Sequence, residues 1–306
     1  MESKPKVLMI TADGNLGVPG TEANQRLLLQ EKYADITPVF WGRGALILPF
    51  RVGGAFDVVS VQDPFWRGLV GLLLARRKQA RLNVQVHTDL EAQGPLRHSL
   101  ARFVLRHADS VRVVSEKLRE QAEEMGVTAP ISVLPIYIDI ERFCSIERAP
   151  RGGEHKTILW VGRFEEEKDP LRAIDVLNEV REGGVDAKLV MLGTGSLENE
   201  LKKRAEELPV TFAGWQDPAP FYASADVLLN TSRYEGYGVA MVEALAAGVP
   251  VIAPDVGIAR EAGAIVVDRD KLAEAITNTL RSGTRGELQL PLLSQEEWGR
   301  QWSKTL

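Results

Sequence analysis

Glu235 and Glu243 stand eight positions apart in the run Tyr234 to Pro254, and the residues around them describe a turn, a helix and a strand. Gly236 and Gly238 allow open or positive-φ backbone close to a ligand, and Val239 to Ala247 have the composition of a helix that stops at Gly248. A carboxylate thus stands on either side of a helix start. The N–H groups and dipole of such a start favour phosphate, while carboxylates beside it can accept hydrogen bonds from sugar or ribose hydroxyls. The combination suits a sugar nucleotide. On spacing alone the run is open to a second reading, a common strand-to-helix turn flanked by two solvated glutamates.

A second group lies upstream, in Val161-Gly162-Arg163-Phe164-Glu165-Glu166-Glu167-Lys168-Asp169-Pro170. A glycine turn followed by two cations before a helix start suits a diphosphate, because Arg163 can grip oxygens in a bidentate fork and Lys168 adds a compact point charge. Taken alone, Lys168 is equally open to pairing with Glu165 or Glu166.

These residues need elements to position them. Short β-rich apolar runs alternate with longer helical stretches, the pattern of parallel sheets covered by helices on both faces. Strands are expected at Lys6–Thr11, Ile36–Trp41, Asp57–Val61, Asn83–His87, Ser110–Val114 and Ile131–Leu134, then at Thr157–Gly162, Lys188–Leu192, Val210–Ala213, Val227–Asn230, Val251–Ala253 and Ala264–Val267. Helices are expected at Leu96–His107, Glu116–Met125, Pro170–Glu182, Leu197–Glu207 and Lys271–Ser282. The fold class is therefore α/β, with two doubly wound parallel-sheet domains. The first is expected over 1–150, completed by a C-terminal helix in 290–306 that carries Trp298 and Trp302. The second is expected over 151–285, after a polar Pro/Gly-rich linker, Ala149 to Glu154. Ligands of such sheets bind outside the carboxyl ends of the strands, so two units facing each other would make a cleft.

Composition narrows the setting. The 306 residues are 44% hydrophobic, enough for a sizeable core. The apolar run Ala244–Pro254 is too short to span a bilayer, and the start Met1-Glu2-Ser3-Lys4-Pro5 lacks the apolar core of a secretion signal, so a cytoplasmic protein is expected. Cys144 is the only cysteine, which rules out an internal disulfide and leaves a small, partly buried side chain as its expected role. Net charge is −5, divided as 19 basic against 17 acidic residues up to Pro150 and 18 against 25 after it. Residues 66–112 hold nine cations, from Arg67 to Arg112, against three acids. This basic stretch is read either as a face for an anionic membrane, at the inner membrane surface, or for a phosphorylated acceptor, or as an ordinary solvated helix face.

Four segments together resemble the retaining glycosyltransferases of family 4, the glycosyl transferases group 1, which have the GT-B fold of two facing Rossmann-like domains. They are Gly162 to Pro170, Leu189-Val190-Met191-Leu192-Gly193-Thr194-Gly195, Val210-Thr211-Phe212-Ala213-Gly214-Trp215, and Glu235-Gly236-Tyr237-Gly238 through Glu243 to Gly248. The first half agrees more loosely, through the loop Gly14 to Gly20 and the segments around His87, Ser115 and Asp139. The resemblance implies that Arg163 and Lys168 bind the donor diphosphate and stabilise the charge that builds there as the sugar departs. It implies Glu243 on the ribose hydroxyls, Glu235 on the donor sugar, and the backbone of Gly238 and Val239 on phosphate oxygens. Gly162, Gly193, Gly214, Gly236 and Tyr237 join the donor site, and Gly17 and Gly20 approach the diphosphate from the first domain. His87 matches a histidine that contacts the donor sugar, although on its own it also reads as the end of a buried strand. The family retains configuration by a favoured front-face route, so Glu235 is not assigned as a nucleophile, and no metal or cofactor is implied.

The chain departs from that pattern in the shortened stretch Phe40 to Asp57, at Asn230-Thr231-Ser232, and in the abbreviated segment Ala259 to Ala264. The expected partners are a nucleotide diphosphate sugar, UDP- or GDP-linked, and a hydroxyl acceptor, with no nucleic acid. A sugar-nucleotide epimerase or hydrolase on the same fold and a non-catalytic donor-binding subunit remain as alternatives.

Overall fold

The computed structural model describes residues 4–41, 52–149, 155–291 and 293–306. By internal contacts the chain divides into two units, Met1–Tyr137 with Leu293–Leu306, and Ile138–Leu292. The first unit holds strands β1 (Lys6–Thr11), β2 (Asp35–Phe40), β3 (Val58–Gln62), β4 (Arg81–Val86), β5 (Ser110–Val113) and β6 (Ile131–Val133), paired in parallel in the order β2-β1-β3-β4-β5-β6. The second holds β7 (Lys156–Val161), β8 (Ala187–Leu192), β9 (Val210–Gly214), β10 (Val227–Leu229), β11 (Val251–Ala253) and β12 (Ile265–Val266), in the order β12-β11-β10-β7-β8-β9. The central strands are apolar on both faces because helices cover both, as a parallel sheet requires.

The strand orders fix where ligands can approach. In each sheet the order reverses beside the first strand, between β1 and β3 in one and between β7 and β10 in the other. Diverging loops leave a crevice at such a reversal, at the carboxyl ends of the strands. The loop Gly14–Gly20 leaves one reversal, and the Arg163–Lys168 loop with the Glu235 turn leaves the other.

The helix Gln295–Lys304 packs in the first unit, where Trp298 and Trp302 are buried with Val7, Met9, Leu27 and Leu134. Ser294 and Glu297 form a capping box at its start, satisfying two backbone donors reciprocally. Truncating either buried tryptophan to alanine would cost about 3–5 kcal/mol.

Three expectations need adjustment. The contact boundary falls at Tyr137/Ile138, ahead of Pro150, because the short helix Ile140–Cys144 packs on the second unit: Phe143 meets Tyr222 edge-on at 5.9 Å, and Arg142 pairs with Asp217. That unit also runs beyond 285, since Gly286 N donates to Gly248 O and Gln289 N to Ala262 O. Cys144 is exposed rather than partly buried. Residues 150–154 of the linker and 42–51 of the shortened stretch lie outside the described residues.

Candidate functional site

In the second unit, three glycines end three adjacent strands. Gly162 N donates to Leu192 O at 3.0 Å, and Gly193 N donates to Gly214 O at 2.8 Å. Gly193 has φ 143°, and a Cβ there would stand 1.8 Å from Gly162 O, so the backbones touch where a side chain cannot fit. The following loop is anchored by Phe164, buried against Trp160 and Phe212, with its N–H on Thr194 O and its carbonyl accepting from Leu197 N.

This anchoring delivers the two cations differently. Lys168 Nζ lies 2.6 Å from Glu235 Oε1, which also accepts from Ser232 Oγ at 2.8 Å. Thr231, two residues beyond β10, shares its hydroxyl proton between the Lys168 and Asp169 carbonyls and accepts from the buried Trp160 Nε1, so the segment after β10 clamps the loop. Asp169, in left-handed backbone, holds Arg269, which in turn donates to the carbonyls of Thr231 and Ser232. Arg163 is 65% exposed and pairs with Glu167 Oε1 at 2.5 Å. Lys168 therefore meets Glu235 rather than Glu165 or Glu166. Glu165 is instead held by Ser196, whose hydroxyl and N–H pull its carboxyl below the ordinary range.

The Glu235 turn leads into the helix Val239–Ala246 through Gly238, at φ 107°. Gly257 backs that turn closely: a Cβ on it would stand 2.3 Å from Tyr237 O and 2.9 Å from Glu235 Cβ. Tyr237 is buried, which pushes its phenol up to about 12 and keeps it protonated. Glu243 is only 4% exposed, and Tyr222 Oη donates to its Oε2 at 2.8 Å. It is thus a carboxylate held inside the unit on the same helix whose start follows Gly238. The structure brings together Lys168, Ser232, Glu235 and the Gly236–Gly238 turn, with Arg163 on the same loop facing solvent.

In the first unit, Asp13 caps a 3-10 turn at Gly14–Gly17, and Gly20 turns the chain at φ 85° into the helix Glu22–Glu31, capped by Thr21. His87 is the first residue after β4, with its N–H on Asp63 Oδ1 at 3.0 Å. It lines a cavity of about 170 Å³ with Asp13, Arg26, Gln62, Gln85 and Arg112, walled by Trp298. Burial, followed by the charges of Arg112, Arg26 and Arg67, pushes the His87 imidazole down to about 3, so it is neutral at physiological pH.

Sequence reasoning passed over Arg26, Gln62, Gln85 and Arg112. Arg112 was grouped with the basic stretch, yet it is only 3% exposed and faces this cavity, so it is no surface cation. The register sets Gln62 beside Gln85 and Gln85 beside Arg112, on the strand face that also carries Ser60, Asn83 and Ser110 and opposite a face that is apolar throughout. Among the described residues, no cluster of three or more His, Cys, Asp or Glu side chains is arranged to hold a metal ion.

Residues 155–282 match the family described as glycosyl transferases group 1, and residues 12–136 match the glycosyl transferase 4-like domain. The chain is 33% identical over 189 residues to a GDP-mannose-dependent alpha-(1-6)-phosphatidylinositol dimannoside mannosyltransferase of Mycobacterium tuberculosis, covering 57% of this chain and 49% of that one. It is 30% identical over 227 residues to an alpha-monoglucosyldiacylglycerol synthase of Streptococcus pneumoniae, covering 64% of this chain and 51% of that one. The chain thus spans about half the length of these curated relatives. Among solved structures it resembles a sucrose-phosphate synthase from Thermosynechococcus elongatus, with a TM-score of 0.72 at 16% identity over 99% of this chain and 94% of that chain. That likeness is one of fold, and the fold is GT-B.

Proposed function

We propose, from the premise that this chain belongs to the group 1 glycosyltransferases of family 4, that it moves a sugar from a nucleotide diphosphate sugar to a hydroxyl acceptor with retention of configuration. The observation that carries this reading is the Lys168–Glu235 pair at the strand-order reversal of the second unit, with buried Glu243 on the helix that follows. A cation and a carboxylate already in contact can divide between the two ends of a bound donor, Lys168 turning to the diphosphate and Glu235 to sugar hydroxyls. Arg163 is exposed and paired at its loop with Glu167, a weak surface pair that it exchanges for phosphate oxygens in this reading.

In this reaction the bond from the anomeric carbon to the diphosphate oxygen breaks, and its electron pair leaves with the diphosphate. The acceptor oxygen bonds to the anomeric carbon on the same face, and its proton passes to the departing diphosphate. Lys168, Arg163 and the N–H groups at Gly238 and Val239 stabilise the growing charge, without a metal ion. In the first unit this reading assigns neutral His87 to hydrogen-bonding the sugar and the loop of Gly17 and Gly20 to the diphosphate. The test is to incubate the purified chain with UDP-, GDP- and ADP-sugars, with and without simple hydroxyl acceptors in chelator, and to follow nucleotide release and glycosylated product. Release only with donor alone, or an epimerised donor, would replace transfer by hydrolysis or epimerisation; binding without any turnover would leave a donor-binding subunit.

A cytoplasmic setting with peripheral contact to an anionic membrane is part of this reading. No helix among the described residues is long and apolar enough to cross a membrane. The helices Trp66–Lys78 and Pro95–Leu105 pack together, each with two exposed apolar side chains seven positions apart, Trp66 with Leu73 and Leu96 with Phe103. Exposed Arg76, Arg77, Arg102 and Arg106 share these helices or follow them. Exposed apolar side chains on helices that also carry cations suit an anionic interface. Co-sedimentation with phosphatidylglycerol vesicles, weakened by salt and by Trp66→Ser with Leu96→Ser, is the expected result; equal binding to neutral vesicles would refute it.

A further inference from the structure

The cavity beside His87 presents an electrostatic imbalance. Arg112 is 3% exposed, and its guanidinium is held by neutral acceptors: Nε on Leu134 O at 3.2 Å, one terminal nitrogen on Gln85 Oε1 at 2.8 Å and the other on Pro135 O at 2.9 Å. Among the described residues no carboxylate pairs with it. A buried cation without a counter-ion is costly, and carbonyl dipoles offset only part of that cost. Three bonds also leave two of the five N–H donors of a guanidinium for another acceptor.

The surroundings deepen the imbalance. Arg26 lines the same cavity, and its charge opposes that of Arg112. Asp13 is the single carboxylate among the described lining residues, one negative charge facing two cations, with its Oδ1 accepting from Asn15 N at 3.0 Å. The Trp298 ring lies 5.4 Å from the Arg112 guanidinium and restrains it from one side. Two cations thus face about 170 Å³ of space, room for one small group and well below the roughly 300–1,000 Å³ of sites that enclose a whole drug-sized ligand.

We infer that Arg26 and Arg112 form a recognition site within the first unit for a phosphate group carried by the acceptor, in the cavity that His87 also lines. The inference rests on the glycosyltransferase reading and narrows it, from any hydroxyl acceptor to one bearing a phosphate. A rigid, buried Arg112 supplies orientation, and Arg26 on the helix Glu22–Glu31 supplies the second contact. The donor's own diphosphate is the competing source of the same chemistry, since Asp13 and Leu16, at the start of the loop that runs to Gly20, line this cavity.

Calorimetric titration of the whole chain with glycerol 3-phosphate, glycerol, and the nucleotide diphosphates UDP and GDP separates these cases. The expected result is that glycerol 3-phosphate binds and glycerol does not, both in free protein and in protein saturated with nucleotide diphosphate. Arg26→Gln should weaken glycerol 3-phosphate about tenfold and leave the nucleotide affinity within about twofold, the loss of one charge-assisted contact. Arg112→Lys, which keeps the charge but loses the fork, should weaken it similarly, with an unchanged melting temperature certifying the fold. Equal binding of glycerol and glycerol 3-phosphate, absence of glycerol 3-phosphate binding, or indifference to Arg26→Gln would overturn the site. Displacement by saturating nucleotide diphosphate would assign the anion to the donor and overturn the acceptor assignment. Failure of the wider reading would look different, as no nucleotide diphosphate binding at all.

Discussion

Lys168 Nζ lies 2.6 Å from Glu235 Oε1, an ion pair that joins the loop after β7 to the turn after β10. Both side chains are largely shielded, 21% and 11% exposed, so the pair escapes much of the screening that makes surface ion pairs weak. Lys168→Ala and Glu235→Ala should each lower nucleotide-sugar turnover by about 10²–10³-fold, the usual loss when one group stabilising transferred charge is removed. Each should also cost about 1–3 kcal/mol of stability, because the remaining partner loses a charge-assisted bond. The double variant should be less destabilised than the sum of the two singles. Steady-state nucleotide release and urea unfolding check both; turnover near that of the parent chain in either single variant would remove the pair from the reaction.

Glu243 is tied to Tyr222 rather than to solvent, and this makes its proposed ribose role testable without turnover. Tyr222→Phe keeps the packing against Phe143 but removes one donor to Oε2. The predicted cost is about 0.5–1.5 kcal/mol, the net worth of one intramolecular hydrogen bond. Glu243→Gln should weaken nucleotide binding about tenfold, and it should also compress the preference for ribonucleotide over deoxyribonucleotide toward unity. A deoxyribonucleotide preference ratio unchanged by Glu243→Gln would show that the carboxylate does not touch the ribose.

The sheets were legible in sequence because each β-run is short, apolar and bounded by turn residues: β1 spans Lys6–Thr11 as read, and the helix Pro170–Glu182 follows Asp169 with proline at its first turn. The helix Trp66–Lys78 escaped attention, since its Gly68 and Gly71 weaken helix propensity. They are there for packing: a Cβ on Gly71 would meet Val61 Cγ1 at 2.2 Å, and one on Gly68 would meet Val104 at 2.8 Å. The turns that carry Gly162, Lys168, Glu235 and Glu243 were legible because each belongs to a local motif. The cavity lined by Arg26, Gln85 and Arg112 was not, since a cavity assembled from three separate elements leaves only isolated polar residues in each. Thr231 is a middle case: visible as a departure from the family pattern, it proves to clamp the Lys168 loop through its hydroxyl.

Gly193 and Gly214 form a matched pair for testing the glycine collar. Both have positive φ, 143° and 71°, so alanine is strained at each. Only Gly193 also lacks space, since a Cβ would stand 1.8 Å from Gly162 O, whereas nothing lies within 4 Å of one on Gly214. Gly214→Ala should therefore cost about 1–2 kcal/mol, the strain of a left-handed residue. Gly193→Ala should cost several kcal/mol more, roughly 3–5, because β7 and β8 must part. Denaturant midpoints for the two variants decide it, and equal midpoints would contradict the close approach of Gly162 and Gly193.

The His87 environment predicts a pH dependence of stability with a definite sign. Its imidazole is pushed down to about 3 in the native state by burial and by Arg112, Arg26 and Arg67, against about 6.5 in an unfolded chain. Between these values the unfolded chain binds more protons, so stability is fully present above about pH 6.5 and is lost as the pH falls toward 3. The slope is at most about 1.4 kcal/mol per pH unit, and partial exposure of the ring makes that a ceiling. Neighbouring Asp63 works in the opposite direction: burial raises its carboxyl, so its contribution declines as the pH rises. Urea unfolding should accordingly show the parent chain less stable at pH 5 than at pH 8, and His87→Asn should shrink that difference by up to about 2 kcal/mol. A difference that persists unchanged in the His87→Asn variant would mean that His87 titrates as an ordinary solvated histidine.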